Sequence, residues 1–241
     1  MSLTDLLVEF RDLEASTDVT KSTWYIVAAS ALAAAGAGSD TIELYRLATE
    51  GLTLELEKLV QRRIKEAILK TSCLYGVPKS LQALLPLWDS LPDSHIDHYG
   101  PRFEAAANKS RESGEAREAR GQKYFDTLWG KEAAQFHRDR NFKYQPDLYL
   151  LNLKMIYEWH FSEDSILGAA ETQMSNISAL ICSNCPTQVT WHTRGLIRHG
   201  GSFDQAEFSR NLGLKIAAHY GCKTGTIMRV EEMDLNTESP H

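Results

Sequence analysis

Residues 186–208, PTQVTWHTRGLIRHGGSFDQAEF, contain the start and stop signals of two consecutive helices. Pro186 suits the first turn of a helix. Gly200–Gly201 ends that helix, because glycine readily adopts the left-handed conformation found there. Ser202 followed three positions later by Gln205 is a capping box that begins the next helix. The stretch therefore predicts a helical hairpin with a tight turn.

The same helical spacing of apolar residues continues outward along the chain, and no segment alternates with period two. We therefore predict an all-α fold. The predicted helices cover about 22–35, 41–51, 54–75, 78–88, 101–112, 116–138, 146–161, 168–182, 186–199 and 203–220.

An internal echo relates the two halves of the chain. LKTSCLYGV at 69–77 and LKIAAHYGC at 214–222 share Leu, Lys, Tyr and Gly at a constant offset of 145 residues, and each closes a long predicted helix. We infer two pseudo-repeated helical-hairpin units. The predicted divisions are a degenerate first unit over 1–100, a charged helical connector over 101–145, a second unit with the candidate site over 146–230, and a flexible tail over 231–241.

Charge and hydropathy restrict the partners. Of the 241 residues, 32 are acidic and 26 basic, giving a net charge of −6, and no basic stripe is interleaved with aromatic residues. Nucleic acid and anionic membranes are therefore not expected as partners. The apolar stretch 26–38 is shorter than the roughly 20 residues that span a bilayer. We expect a small-molecule substrate.

Cysteine content and the N-terminal sequence indicate the compartment. Four cysteines are few for a secreted protein of this length. The first twenty residues are too acidic for a signal or transit peptide. We expect a cytoplasmic protein, with the mitochondrion or the peroxisome as alternatives, because no clear targeting signal is present.

Three stretches carry a resemblance to a known family: ETQMSNISALI (171–181), the hairpin of 186–208, and AILKTSCLYGVPKSLQALLPL (67–87). Together they resemble the carboxymuconolactone decarboxylase-like and alkylhydroperoxidase D-like proteins, especially the long, two-copy members found in fungi. The resemblance covers less than half of the chain. It implies an alkylhydroperoxidase D-like helical array that forms homo-oligomers and needs no cofactor.

Cysteines separate the two branches of that family. Alkylhydroperoxidase-like members carry Glu, Cys-x-x-Cys and a histidine four residues beyond the second cysteine, whereas decarboxylase-like members keep only the histidine. Here Cys182 and Cys185 are present, but His192 follows Cys185 by seven residues. Seven residues of helix rise about 10.5 Å, so the imidazole does not reach the thiol directly. The alternative to redox chemistry is a pair of ordinary loop thiols.

A metal site is not expected. Zinc binding by Cys-x-x-Cys needs a second pair at a fitting spacing. Cys73 and Cys222 are isolated from each other in the sequence.

His192 is the strongest candidate for acid–base chemistry. Steps of three and four residues place Gln188, His192, Gly195 and His199 on one stripe of their helix, and the glycine permits close approach of another helix. The alternative is a hydrogen-bonded histidine in the core or at a subunit interface.

Neighbouring residues complete the predicted site. An antiparallel hairpin would bring Glu171 close to His192, where a carboxylate orients an imidazole and raises its basicity. Glu171 also suits the first turn of its own helix. We predict His192, Glu171 and Gln188 as catalytic residues, and Trp191 and His199 as substrate-binding residues.

Three functions remain open from the sequence. The first is a cofactor-free lyase or isomerase that moves a proton on a small carboxylated or lactone metabolite. The second is an alkyl hydroperoxide reductase that uses Cys182 and Cys185. The third is a non-catalytic, oligomeric small-molecule-binding protein of the same fold.

Overall fold

The computed structural model describes residues 1–14, 16, 18–107, 112–235 and 237. These residues form twelve α-helices, a π-helix and three short 3₁₀ turns, without a β-strand, so the predicted all-α class is confirmed. None of their helices is long and apolar enough to cross a membrane. The α-helices are α1 (Leu3–Leu13), α2 (Trp24–Ala35), α3 (Thr41–Thr49), α4 (Leu54–Tyr75), α5 (Val77–Asp89), α6 (Pro101–Ala106), α7 (Gly114–Trp129), α8 (Lys131–Tyr144), α9 (Pro146–Leu150), α10 (Ala169–Cys182), α11 (Pro186–Arg198) and α12 (Phe203–His219); the π-helix (Leu151–Phe161) directly follows α9.

Helix α1 was not predicted. Leu3, Leu6, Leu7 and Phe10 are all buried, and their spacing is that of one helical face. A capping box at Ser2 begins the helix. The signal was present in the sequence, but the acidic residues between these positions obscured it.

The connector differs most from its prediction. Gly130, with φ of 80°, divides the single helix predicted over 116–138 into α7 and α8. Helix α8 then continues to Tyr144, through a segment predicted as a loop. The helix predicted over 101–112 ends at Ala106 as α6, and residues 108–111 lie outside the described part of the chain.

Helices α2 and α10 form the central pair of the fold. Every residue of α2 from Trp24 to Ala34 is buried, and most are small. The Ser178 hydroxyl on α10 donates to the Val27 carbonyl on α2 at 2.9 Å. A Cβ at Gly213 of α12 would lie 3.0 Å from the Cα of the same Ser178. Small residues thus let three helices approach closely.

The helix positions follow the 145-residue offset of the sequence echo. Helices α2 and α10 begin at Trp24 and Ala169, and α3 and α11 begin at Thr41 and Pro186. At this offset His192 corresponds to Leu47, so the first unit lacks the candidate histidine. The duplication of one unit stays a prediction that this register supports.

Two hydrophobic clusters organise the packing. The larger one combines buried residues of α1–α5 with those of α10–α12. The smaller one combines Tyr124, Phe125 and Leu128 of α7 with Tyr157 and Phe161 of the π-helix. The π-helix therefore packs against α7, and the predicted division of the chain into two units and a connector stays a prediction.

The predicted flexible tail begins with a docked segment. Met233 is buried next to a 3₁₀ turn (Val230–Glu232), and Arg194 Nε donates to the Asp234 carbonyl at 3.0 Å. Residues 236 and 238–241 of that prediction lie outside the described residues.

Lys70 is a fully buried cation that ties α4 to α10. Four oxygen atoms surround its Nζ, which carries three N–H donors to share among them: the carbonyls of Phe161 at 3.1 Å, Glu163 at 2.5 Å and Leu167 at 3.1 Å, and the Thr172 hydroxyl at 2.8 Å. Burial lowers the pKa of Lys70 to about 8. These contacts fix the chain between the π-helix and α10.

Replacing Lys70 by methionine tests this interaction. Lys70→Met leaves buried oxygen atoms without a donor, so we expect the free energy of unfolding to fall by about 3 to 5 kcal/mol. The matched control is Lys215→Met, at the echoing position, where the lysine is exposed and pairs with Glu9 at 3.2 Å. That change should cost less than about 1 kcal/mol. Urea denaturation measures both, and equal losses would contradict the assignment.

Candidate functional site

His192 lies at one end of a buried hydrogen-bonded chain. Its side chain is 6 % exposed, and its Nδ1 is 2.7 Å from Gln173 Oε1 on α10. Gln173 Nε2 donates to the Tyr124 hydroxyl on α7 at 2.7 Å. Because the amide nitrogen is engaged with Tyr124, its oxygen is the acceptor and the His192 Nδ1 carries the proton. The three side chains connect α11, α10 and α7.

Gly195 lets α11 lie against α7, as predicted. A Cβ at this position would lie 2.9 Å from the Leu128 Cγ and 3.5 Å from the Gln173 Oε1. A larger side chain would force the Leu128 side chain to shift. The glycine therefore permits the close contact between α11 and α7.

His199, at the end of α11, lines a cavity of about 450 Å³. Its ring centroid is 4.3 Å from that of Tyr124. Its Nε2 is buried and has no hydrogen-bond partner among the described residues. Arg120 and Lys123 of α7 line the same cavity.

Burial controls the charge of this network. It lowers the pKa of His192 and of His199 to about 4 each, and the proximity of His199 contributes to the shift at His192. Burial raises the pKa of Tyr124, while the hydrogen bond from Gln173 opposes that rise. Two neutral imidazoles and a protonated phenol are thus held together at neutral pH.

Glu171 has different partners from the one predicted. Its Oε1 accepts a hydrogen bond from Arg63 Nη2 at 2.7 Å, and its Oε2 accepts one from the Gly168 backbone N–H at 2.8 Å. Glu171 therefore caps α10 and pairs with α4, and Gln173 bonds to His192 instead. The two residues point about 200° apart around their helix, so the rotation of α10 decides which of them meets α11.

Gln188 and Trp191 lie in a different cavity from His199. They line a space of about 650 Å³ together with Trp129 of α7 and His137 of α8. The Trp129 and Trp191 ring centroids are 5.2 Å apart. The predicted stripe is therefore divided between two cavities.

The cysteine pair lacks the features of a reactive dithiol. Cys182 is buried, and its Sγ donates to the Gly213 carbonyl at 3.6 Å. Burial raises the pKa of Cys182, whereas thiol chemistry requires a lowered one. The Cys185 Sγ bonds to the Ser183 carbonyl at 3.4 Å. The hydroperoxide reductase alternative stays a prediction that this geometry does not favour.

The expectation that the chain has no metal site stays a prediction. In the part of the chain that the structure describes, no three His, Cys, Asp or Glu side chains are grouped as metal ligands would be.

Two members of the network were missed in the sequence. Tyr124 lies in a segment that its charge marked as an exposed connector, although Gly121, Tyr124 and Leu128 share one helical face and are buried. Gln173 was overlooked because the nearby Glu171 offered a stronger chemical argument. The apolar face of α7 could have identified Tyr124, but no local signal identifies Gln173.

Two curated proteins resemble the chain. It is 26 % identical over 190 residues to Peroxisomal protein 2 of Saccharomyces cerevisiae, covering 71 % of this chain and 67 % of that protein. It is also 26 % identical over 161 residues to Peroxisomal protein 2 of Schizosaccharomyces pombe, covering 66 % and 70 %. No family model and no solved structure matches the chain.

The buried histidines predict a loss of stability in acid. The native pKa of His192, about 4, lies below the value of about 6.5 for a free histidine. The unfolded chain therefore binds more protons between these two values, and the free energy of unfolding falls as the pH drops through them. We expect His192 to contribute on the order of 2 kcal/mol to the change between about pH 7 and pH 5.

Urea denaturation at both pH values measures this contribution. His192→Gln should flatten the pH dependence by that amount, whereas His219→Gln, an exposed histidine at the end of α12, should leave it unchanged. An unaltered pH slope in His192→Gln would show that the imidazole is not buried in its neutral form.

Proposed function

We propose that the chain is a cofactor-free acid–base enzyme, a lyase or isomerase of the carboxymuconolactone decarboxylase-like type. It moves a proton on a small carboxylated or lactone metabolite. The observation that carries the proposal is the neutral His199, which lines a cavity together with Arg120 and Lys123 and whose buried Nε2 has no partner among the described residues.

The cations suit a carboxylated substrate. Arg120 is held by Ser162 at 2.8 Å and by Glu112 at 2.7 Å, whereas Lys123 is exposed at the rim. Because Glu112 pairs with Arg120 and Asp164 lines the cavity, Lys123 is the lining cation that has no ion pair among the described residues and can bind the carboxylate. An anionic substrate bound here raises the pKa of His199, because an opposite charge favours the imidazolium. Substrate binding thus makes His199 a better proton acceptor.

The reaction follows from this arrangement. His199 takes a proton from a carbon next to a carbonyl, or returns one to the enolate that forms when CO₂ leaves. Lys123 and Arg120 stabilise the developing negative charge. The cavity of about 450 Å³ is of a size for a small metabolite.

His192 becomes a positioning residue in this proposal. Through Gln173 it holds Tyr124, and the Tyr124 ring packs against His199. The predicted catalytic roles of Glu171 and Gln188 are not part of the proposal, because Glu171 is engaged with Arg63 and Gln188 lines the other cavity.

The relatives and the surface support two further points. The names of both similar proteins favour a peroxisomal location over the cytoplasmic one expected first. Phe142, Tyr144, Leu150 and Met155 are each more than half exposed, which supports an interface with a second copy of the chain.

Proton exchange tests the activity without knowledge of the natural substrate. Small β-keto acids and carboxylated lactones are incubated with the protein in D₂O, and ¹H NMR follows deuterium incorporation and loss of CO₂. We expect turnover with at least one such compound, and a loss of about 100-fold or more in His199→Gln.

The matched control is His219→Gln, which removes an exposed histidine and should keep full activity. Gln173→Leu should shift the pH–rate profile while retaining part of the activity, as expected of a positioning residue. Equal activity in His199→Gln and His219→Gln would refute the proposal. Peroxide consumption that Cys185→Ser abolishes would instead establish the thiol alternative.

A further inference from the structure

The second cavity, of about 650 Å³, lies between α7, α8, the π-helix and α11. Four aromatic side chains form much of its wall: Phe125, Trp129, Tyr157 and Trp191. None of them belongs to the His199 cavity.

The rings are held at fixed angles to one another. Trp129 and Trp191 meet edge to face, with centroids 5.2 Å apart and planes at 64°. Phe125 and Tyr157 do the same at 4.6 Å and 82°. His137 packs on Trp129 at 4.1 Å. Such supported rings present rigid apolar faces, which suit a flat apolar ligand because little side-chain entropy is lost on binding.

The polar side chains that line the cavity favour a negatively charged ligand. Arg140 is exposed, lines the cavity, and forms no ion pair with any described residue. Among the described lining residues no carboxylate is present to neutralise it, and the other polar contributors include the amides of Asn141, Asn152 and Gln188. A planar guanidinium with free donors matches a carboxylate.

The indole N–H of Trp129 is buried beside the Tyr157 hydroxyl. Burial raises the pKa of Tyr157, and the proximity of this N–H opposes part of that rise. The Trp129 side chain therefore contributes its ring, rather than a polar atom, to the cavity wall.

The π-helix provides an independent indication of function. It supplies Asn152 and Tyr157 to the wall and extends over eleven residues, from Leu151 to Phe161. π-helical turns are rare, usually occur singly, and are frequent at functional sites. A regular α-helix of the same sequence would present different side chains to the cavity.

We propose that this cavity binds a planar aromatic carboxylate, with its ring against Trp129 and Trp191 and its carboxylate on Arg140. The site is separate from the His199 cavity, so it does not depend on the proposed acid–base function.

Isothermal titration calorimetry with 2-naphthoate as the probe tests the site. We expect saturable one-to-one binding to the full chain, weakened about 10-fold or more in Arg140→Gln, since a hydrogen bond to a charged group is lost. The matched control is Arg46→Gln, an exposed arginine on α3, which should bind like the parent. The neutral probe 2-naphthol should show little difference between the two variants.

Two further variants locate the probe. Trp191→Leu should weaken the binding of both probes, because it removes one of the two rings against which they pack. His199→Gln should leave both affinities unchanged. Absence of 2-naphthoate binding, or equal binding to Arg140→Gln and Arg46→Gln, would overturn the proposal, as would binding lost in His199→Gln but kept in Arg140→Gln.

Discussion

The buried ammonium group of Lys70 is the interaction on which the rest of the architecture depends. A charge without solvent is tolerated only when oxygen atoms surround it, and the Lys70 Nζ has four, drawn from Phe161, Glu163, Leu167 and Thr172. They come from the end of the π-helix, the segment after it and the first turn of α10. One side chain of α4 thus fixes the path of the chain between the π-helix and α10.

Small side chains determine the orientation of the central helices about their own axes. The alanines of α2 and the serines of α10 leave no room for another packing of the central pair, and Gly213 brings α12 equally close. With its axis fixed on three sides, α10 directs Glu171 towards Arg63 and Gln173 towards His192. The absence of a side chain at Gly195 then lets α11 pack closely against Leu128 of α7.

The result is a neutral buried network that reaches the His199 cavity at Tyr124, and a separate cavity with an aromatic wall. The His199 cavity carries cations and an imidazole, features that suit proton transfer on a small anion. The other is walled by aromatic rings with Arg140 available, features that suit recognition of a flat ligand. Helices α7 and α11 contribute to both, so a helical connector that appeared to be a solvated linker becomes part of each candidate site.

The sequence by itself determined the all-α class, most helix boundaries, the 145-residue register and the stripe of Gln188, His192 and His199, because caps, glycine stops and helical periodicity are local properties. Only the tertiary structure decided that Gln173 rather than Glu171 bonds to His192, and that His199 faces a different cavity from Gln188. It also decided that Lys70 is buried while the echoing Lys215 is exposed. These outcomes depend on the rotation of each helix and on partners far apart in sequence, such as Lys70 and Thr172, 102 residues apart. The spacing of residues within one helix contains no information about the rotation of that helix or about its distant partners.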